Sequence, residues 1–75
     1  MNKLPRVTGK EVVKALKRAR FVEVRIRGSH HYLYHEEKDR LVTVPVHAGK
    51  TLASKTLKAI LNQANISIDK LTELL

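Results

Sequence analysis

The fold is decided by residues 21–46, FVEVRIRGSHHYLYHEEKDRLVTVPV, which contain three strand-like segments. In the first segment, residues 22–27, apolar residues alternate with charged ones, the period-two pattern of a half-buried strand. Residues 30–35 are rich in aromatic and β-favouring side chains, and residues 41–46 are mostly β-branched or apolar. The charged segment 36–40 between them is typical of a polar hairpin loop. The stretch therefore predicts three antiparallel strands.

Five residues of this stretch have special conformational roles. Gly28 and Ser29 supply a turn signal between the first two strands. Without a Cβ, Gly28 lets the strand bend and lets a phosphate approach the backbone closely, whereas Ser29 either hydrogen-bonds a phosphate oxygen or closes the turn. Pro45 cannot donate to a ladder, so we expect it near a strand end or on a sheet edge. Because side chains alternate along a strand, His30 and His31 point to opposite faces, one towards the helices and one outward.

A helix precedes the strands. Thr8 and Glu11 have the spacing of a capping box, which predicts a helix from Gly9 to about Arg20. Its inward positions are apolar at spacings of three and four: Val12, Val13, Leu16 and Ala19.

Two further helices follow the strands. The first is capped by Ser54 or Thr51, and Asn65 suits a left-handed C-cap at its end. Ser67 caps the second, shorter helix. The inward positions are Leu57, Ile60, Leu61 and Ala64 in the longer helix, and Ile68, Leu71 and Leu75 in the shorter one.

The order α-β-β-β-α(-α) predicts an α+β fold. Helices segregated onto one face of a three-stranded antiparallel sheet make a two-layer sandwich, an architecture like that of the double-stranded-RNA-binding domain. We interpret residues 1–75 as one domain, with a thin core, since a chain this short buries only about 60–65% of the surface that its unfolded form exposes.

The composition indicates a polyanionic partner. Fifteen Lys and Arg stand against seven Asp and Glu, a formal net charge of +8, and the sequence pI is about 10.2. Nucleic acid is the leading candidate, because neutralising phosphates releases counterions. An anionic membrane surface is disfavoured, since it needs a basic amphipathic helix with exposed large apolar residues. An acidic protein is a third candidate and is compatible with the first.

Several classes are excluded or disfavoured. The chain has no cysteine, which removes disulfides and thiolate metal sites. It has neither an apolar run of the roughly 20 residues that a membrane span needs nor the apolar stretch of a secretory signal, so we expect a cytoplasmic protein without a membrane partner. His30 and His31 are adjacent and have no clustered carboxylates, so neither a metal nor a cofactor is expected.

The sequence Gly28-Ser29-His30-His31 indicates acid–base chemistry. Imidazole exchanges protons near neutral pH, and a histidine among cations in a very basic protein suggests phosphodiester cleavage in a nucleic acid. The alternative is that both histidines are ordinary strand residues.

The chain resembles the HicA-type toxins of bacterial and archaeal toxin–antitoxin systems, also called YcfA-like proteins. The resemblance covers nearly the whole chain and rests on the order and spacing of five segments: Leu4-Pro5, Gly9–Leu16 with Phe21, Arg27–His31, Val44–His47, and Thr56–Leu61 with Ala64 and Ile66-Ser67. Two positions depart from the family pattern, Lys55 and Arg20, where the family usually has glycine; they put the loop geometry in question and leave the chemistry unchanged. A cation such as Arg20 at a helix C-terminus is favourable to the helix dipole.

The resemblance implies a metal-independent endoribonuclease that cleaves mRNA and is blocked by a HicB-type antitoxin, with no DNA target of its own. It also implies that the catalytic histidine is His30. Such cleavage uses the RNA 2′-hydroxyl as nucleophile and needs a base, an acid for the departing 5′-oxygen, and cations beside the phosphorane. A neutral His30 can be the base, with Arg25, Arg27 or Lys50 as the cations.

The residues leave several roles open. Either His30 serves as both base and acid, or it shares the work with a second group, for which His31, His47 and Tyr32 are the candidates. A buried, hydrogen-bonded structural role is preferred for His31. Tyr32 and Tyr34, if outward beside the arginines, offer stacking surfaces for unpaired bases. His35 is expected to be solvated near the hairpin.

The cations of the first helix either contact phosphates or form a solvated face.

Two other functions fit the same composition: a non-catalytic RNA- or DNA-binding module of the same fold, and an interaction subunit for an acidic protein.

Overall fold

The computed structural model describes residues 3–75, and its element order confirms the predicted α+β fold. The elements are α1 (Gly9–Arg18), β1 (Val22–Arg27), β2 (His30–His35), β3 (Arg40–Pro45), α2 (Ser54–Ala64) and α3 (Ile68–Leu74). The strands form one antiparallel sheet in the order β1-β2-β3, with β2 in the centre. Among the described residues, no helix is long and apolar enough to cross a membrane.

One hydrophobic core lies between the sheet and the helices. From the sheet, Leu33, Val42 and Val44 are fully buried, at alternate positions of β2 and β3. The helices contribute apolar residues at helical spacing, as predicted: Val12, Val13 and Leu16 from α1, Leu57, Ile60, Leu61 and Ala64 from α2, and Leu71 from α3. In the part of the chain that the structure describes, no helix packs on the opposite face of the sheet, and the buried strand residues all lie on the helix side.

The predicted capping box at the start of α1 is confirmed. The Thr8 hydroxyl accepts a hydrogen bond from the Glu11 backbone N–H at 3.2 Å, and the Glu11 carboxylate accepts one from the Thr8 N–H at 2.9 Å. Gly9, the first helical residue, touches the end of β3. A Cβ at this position would overlap the carbonyl oxygen of Pro45 and lie 3.0 Å from the Val46 Cα. The absence of a side chain therefore lets α1 pack directly on the strand end.

α1 ends at Arg18, two residues earlier than predicted, in a Schellman motif. The Phe21 N–H bonds to the Leu16 carbonyl at 3.0 Å, and the Arg20 N–H bonds to the Lys17 carbonyl at 3.1 Å. Arg20 has a φ of +73°, in the left-handed region that favours glycine. The departure from the family pattern at this position has therefore left the glycine-type backbone in place.

The second and third helices follow the prediction except at two points. α2 has Ala53 as its N-cap, with no side-chain hydrogen bond, so a cap at Ser54 or Thr51 is wrong: Ser54 is already helical, and Thr51 instead forms an isolated bridge with Thr8. Asn65 has the expected left-handed conformation, with a φ of +55°.

In α3, the Ser67 hydroxyl accepts the N–H of Lys70 at 3.0 Å, which confirms the predicted cap. Of the three predicted inward residues only Leu71 is buried. Ile68 is half-buried and Leu75 exposed, because α3 packs on α1 at the margin of the core.

β1 is a strand, but the predicted half-buried pattern is wrong. Val22, Val24 and Ile26 are all more than half exposed. The register shifts between Glu23 and Arg25, so that Val24 is the extra residue of a β-bulge. The bulge breaks the alternation, and the three apolar side chains no longer share one face.

His35 is buried, so the expectation of a solvated side chain is wrong. It shares the helix-facing side of β2 with Leu33 because the two are two positions apart in the strand. Its Nδ1 accepts the Lys38 backbone N–H at 3.1 Å, and its ring meets Phe21 edge-to-face with centroids 5.0 Å apart. His35 therefore closes the core beneath the hairpin.

Candidate functional site

The sheet surface turned away from the helices, here called the open face, carries three rows of side chains that run across the strands. The register of the strands defines these rows. The end row is Arg27, His30 and Pro45, the middle row is Arg25, Tyr32 and Thr43, and the far row is Val22, Tyr34 and Leu41. Side chains directly opposite each other on neighbouring strands have Cβ atoms about 4.5–5.5 Å apart, so each row is a set of neighbours.

His30 occupies the centre of the end row. It is exposed on the first residue of the central strand, between Arg27 on β1 and Pro45 on β3. Within residues 3–75, no side chain hydrogen-bonds its ring. The imidazole is therefore open to a substrate, and an arginine is its cross-strand partner.

Two tyrosines continue the open face behind His30, as predicted. Tyr32 lies in the middle row beside Arg25, and Tyr34 lies in the far row. The Tyr34 hydroxyl donates to the Asp39 carboxylate at 2.6 Å, and this hydrogen bond raises the pKa of Tyr34 above its ordinary value of 10.0. Tyr34 is thereby tethered to the hairpin, while Tyr32 stands next to the histidine row.

The β-bulge in β1 determines which cations share this face. Arg25 is paired with Tyr32, and Arg27 with His30, only because Val24 is extra. In an unbroken strand, Arg25 and Arg27 would have the same orientation as Glu23, which lies opposite Leu33 on the helix side. Bulges re-aim side chains in this way beside functional sites. The bulge places both arginines on the side of His30.

His31 lies on the opposite face, in the structural environment that the sequence favoured. Its Nδ1 is 2.6 Å from the Glu23 carboxylate, and Lys17 of α1 approaches the same carboxylate at 3.6 Å. The hydrogen bond to His31 lowers the pKa of Glu23 below its ordinary value of 4.5, with Lys17 as a further cause. Since Glu23 precedes the bulge and His31 sits opposite Ile26 beyond it, this contact spans the bulge and braces it.

Two connections lie at the His30 end of the sheet: the turn between β1 and β2, and the loop that follows β3. Gly28 has a φ of +58° at the first position of the two-residue turn, where type II′ hairpins require glycine. The Ser29 carbonyl accepts the Val46 N–H at 2.7 Å, which extends the pairing beyond Pro45. The loop that carries the exposed His47 and Lys50 begins directly after this bond, at the His30 end of the sheet.

The cations of α1 divide into two groups. Lys17 is committed to Glu23, and Arg18 donates to the Leu74 and Leu75 carbonyls at 2.7 and 3.1 Å, which ties α1 to α3. Lys10 and Lys14 are exposed on the same helix. Among residues 3–75, no group of three or more histidine and carboxylate side chains has a metal-binding arrangement.

Comparison with known families supplies the biological context. The family model described as "HicA toxin of bacterial toxin-antitoxin" matches residues 9–66, well over half of the chain. The chain belongs to the HicA toxin family. It is thus the toxin component of a toxin–antitoxin system, which implies an antitoxin partner. A search of curated proteins finds no match.

The structure brings most of the sequence-predicted residues of this HicA toxin together. His30, Arg25, Arg27 and Tyr32 share the open face, Gly28 and Ser29 form the turn that leads into His30, and Lys50 lies in the exposed loop after β3. His31 is separated from them by the thickness of the sheet.

Two residues that support the site, Glu23 and Gly9, are not predicted from the sequence. In the sequence, Glu23 is one charge of an alternating strand, and no local pattern predicts the bulge that it helps to brace. The sequence predicts Gly9 only as the first residue of a helix. Its contact with Pro45, the β3 partner of His30, becomes visible only in the folded structure.

Proposed function

We propose that this HicA toxin is a metal-independent endoribonuclease that cleaves mRNA, with His30 as general acid–base catalyst. The observation that carries the proposal is the end row of the open face, where the exposed His30 on the central strand has Arg27 as its cross-strand partner. A base and a neighbouring cation are two of the groups that RNA cleavage by its own 2′-hydroxyl requires, and the third is an acid for the departing 5′-oxygen.

The proposed reaction begins with proton removal. Neutral His30 takes the proton of the 2′-hydroxyl as that oxygen attacks the adjacent phosphorus. Arg27, and Arg25 one row behind it, stabilise the negative charge that develops on the phosphorane oxygens. The bond from phosphorus to the 5′-oxygen then breaks, and the 5′-oxygen receives a proton. The products are a 2′,3′-cyclic phosphate and a 5′-hydroxyl.

The leaving oxygen needs a proton donor, and the geometry ranks the three candidates. His31 is the weakest, because its ring lies on the helix side in contact with Glu23. Tyr32 shares the open face with His30, and His47 lies in the exposed loop at the same end of the sheet. We therefore assign the role to Tyr32 or His47, or to His30 itself after it has been protonated in the first step.

The substrate is proposed to bind as unpaired RNA across the end and middle rows. Tyr32 offers a ring for base stacking, and the two arginines offer phosphate contacts. Lys50, together with the backbone of Gly28 and Ser29, adds polar groups at the His30 end. An antitoxin of the HicB type is the proposed inhibitor, and we propose that residues 1–75 act as one toxin domain in the cytoplasm.

A comparison of growth and RNA integrity tests the proposal. Cells that express the wild-type chain should stop growing and lose intact transcripts, whereas cells that express His30→Ala should do neither. His30 is exposed, so the substitution leaves the core intact. Equal toxicity of the two proteins would contradict the catalytic role.

Binding and cleavage assays with purified protein separate the alternative function. A purified wild-type protein that shifts RNA in a salt-dependent manner and never cuts it would be a non-catalytic RNA-binding module. An RNA substrate with one 2′-deoxynucleotide at the cleaved position provides the chemical control, because it lacks the proposed nucleophile and should remain intact at that position.

A further inference from the structure

The two edges of the sheet differ in how well they are protected. On β3, Pro45 has no N–H to offer, and the Thr43 N–H bonds to the side-chain oxygen of Gln63 from α2 at 3.3 Å. On β1, no strand or helix of residues 3–75 pairs with the outer side. Proteins commonly blunt such edges, since an open edge is a template for another strand. β1 is the open one.

β1 also exposes apolar side chains on both faces of the sheet. Val22, Val24 and Ile26 are 63%, 56% and 57% exposed. Val22 lies on the open face opposite Tyr34, whereas Ile26 lies on the helix-facing side opposite His31. A partner seated flat on the open face would cover Val22 and leave Ile26 in water. Only a segment that runs alongside the edge can cover side chains on both faces.

The charge of β1 determines which kind of segment can bind along its edge. Arg25 and Arg27 lie in β1, and its one acidic residue, Glu23, is already bound by His31 and Lys17. A second copy of this chain, with its net charge of +8, is repelled. RNA gains little from valine and isoleucine, because its bases stack on aromatic rings. An extended protein segment that alternates apolar and acidic residues satisfies the backbone, the apolar side chains and the arginines together.

We infer that β1 is a docking edge on which the antitoxin adds a strand with alternating apolar and acidic residues. The added strand lies beside Arg25 and Arg27, so its carboxylates compete with RNA phosphates for the same guanidinium groups. This inhibitory consequence rests on the proposed nuclease function, whereas the docking itself does not.

Binding is tested with a matched pair of variants. Val24→Gln/Ile26→Gln removes the apolar groups of β1 without adding charge, and Leu41→Gln does the same on β3, where Leu41 is 56% exposed. Titration of the purified antitoxin into the His30→Ala toxin, whose cleavage rate is strongly reduced under the proposal, should show at least about tenfold weaker binding for the β1 variant. The Leu41→Gln variant should stay within about twofold of the parent. Val24→Gln alone serves if the double variant does not fold.

Hydrogen exchange provides a test without mutation. Antitoxin binding should slow exchange of the backbone amides of residues 22–27 and leave those of residues 40–45 unchanged, since strand addition uses main-chain hydrogen bonds. Unchanged affinity in the β1 variant, or affinity lost only in Leu41→Gln, would overturn the inference. So would a β1 variant that binds the antitoxin normally and loses its affinity for RNA.

Discussion

Replacing Arg20 with glycine should stabilise this HicA toxin. Arg20 has a φ of +73° in the Schellman motif that ends α1. A non-glycine residue in this left-handed region carries a cost of about 1–2 kcal/mol, whereas glycine adopts it freely. Glycine also increases the entropy of the unfolded chain, which offsets about 0.4–1 kcal/mol. The expected net gain in the free energy of unfolding is about 0.5–1 kcal/mol.

The Arg20 side chain contributes little to the balance. Its contact with Glu37 spans 3.5 Å, and both side chains are more than three-quarters exposed, so it is a surface ion pair of small value. Arg20→Ala is the matched control, because it removes the same ion pair and keeps a Cβ in the strained conformation. Glycine at this position should therefore exceed alanine by about 1 kcal/mol.

Thermal and urea denaturation measure the effect. For a domain of this size, about 1 kcal/mol corresponds to a shift in melting temperature of roughly 4–8 °C. Arg20→Gly should melt above the wild type, and Arg20→Ala at or slightly below it. If Arg20→Gly melted at or below Arg20→Ala, backbone strain at this position would not be the cause of any difference, and the reasoning would fail.

Three further predictions concern the site and its supports. Gly9→Ala should destabilise the fold by about 1–3 kcal/mol, because the new Cβ overlaps the Pro45 carbonyl, while the exposed Lys10→Ala should change it little; chemical denaturation measures both. Glu23→Gln should lower the free energy of unfolding above pH 4.5, because the ionised Glu23 carboxylate, whose pKa is lowered in the native state, stabilises the fold in that range. The difference in free energy of unfolding between the variant and the wild type should shrink as the pH falls further. A gap that stays constant from pH 7 to pH 3 would remove Glu23 as its source. Tyr32→Ala should weaken binding of single-stranded RNA by about 1–3 kcal/mol, roughly 5- to 150-fold in a filter-binding or polarisation assay, and Tyr34→Ala, in the far row, should weaken it less. Equal losses would contradict binding across the end and middle rows.

The features that can be predicted from the sequence are those that depend on local patterns. The capping box at Thr8, the left-handed Asn65 and the helical spacing of the core residues each depend on a few neighbours in the chain, so the residues themselves indicated the structure. Strict alternation in β2 also predicted that His30 and His31 would have different environments.

The remaining features depend on partners distant in sequence. The bulge at Val24 is a property of the β1–β2 pairing, and nothing in residues 22–27 distinguishes it from a regular strand. His35 is buried because Phe21, fourteen residues earlier in sequence, packs on its ring. The same holds for Arg25 and Arg27: sequence reasoning predicted their proximity to His30, but the bulge that orients them emerges only from the assembled sheet.

The most direct test of the central claim is a single-turnover measurement of RNA cleavage. Purified wild-type protein and His30→Ala are mixed in excess with an end-labelled single-stranded RNA, and the affinity of each for the RNA is measured in parallel. The account predicts that His30→Ala loses about 10²-fold or more in cleavage rate, within the range expected for one acid–base group, while its RNA affinity stays within about threefold of wild type. Cleavage by His30→Ala at the wild-type rate would contradict the assignment of catalysis to the histidine of the end row.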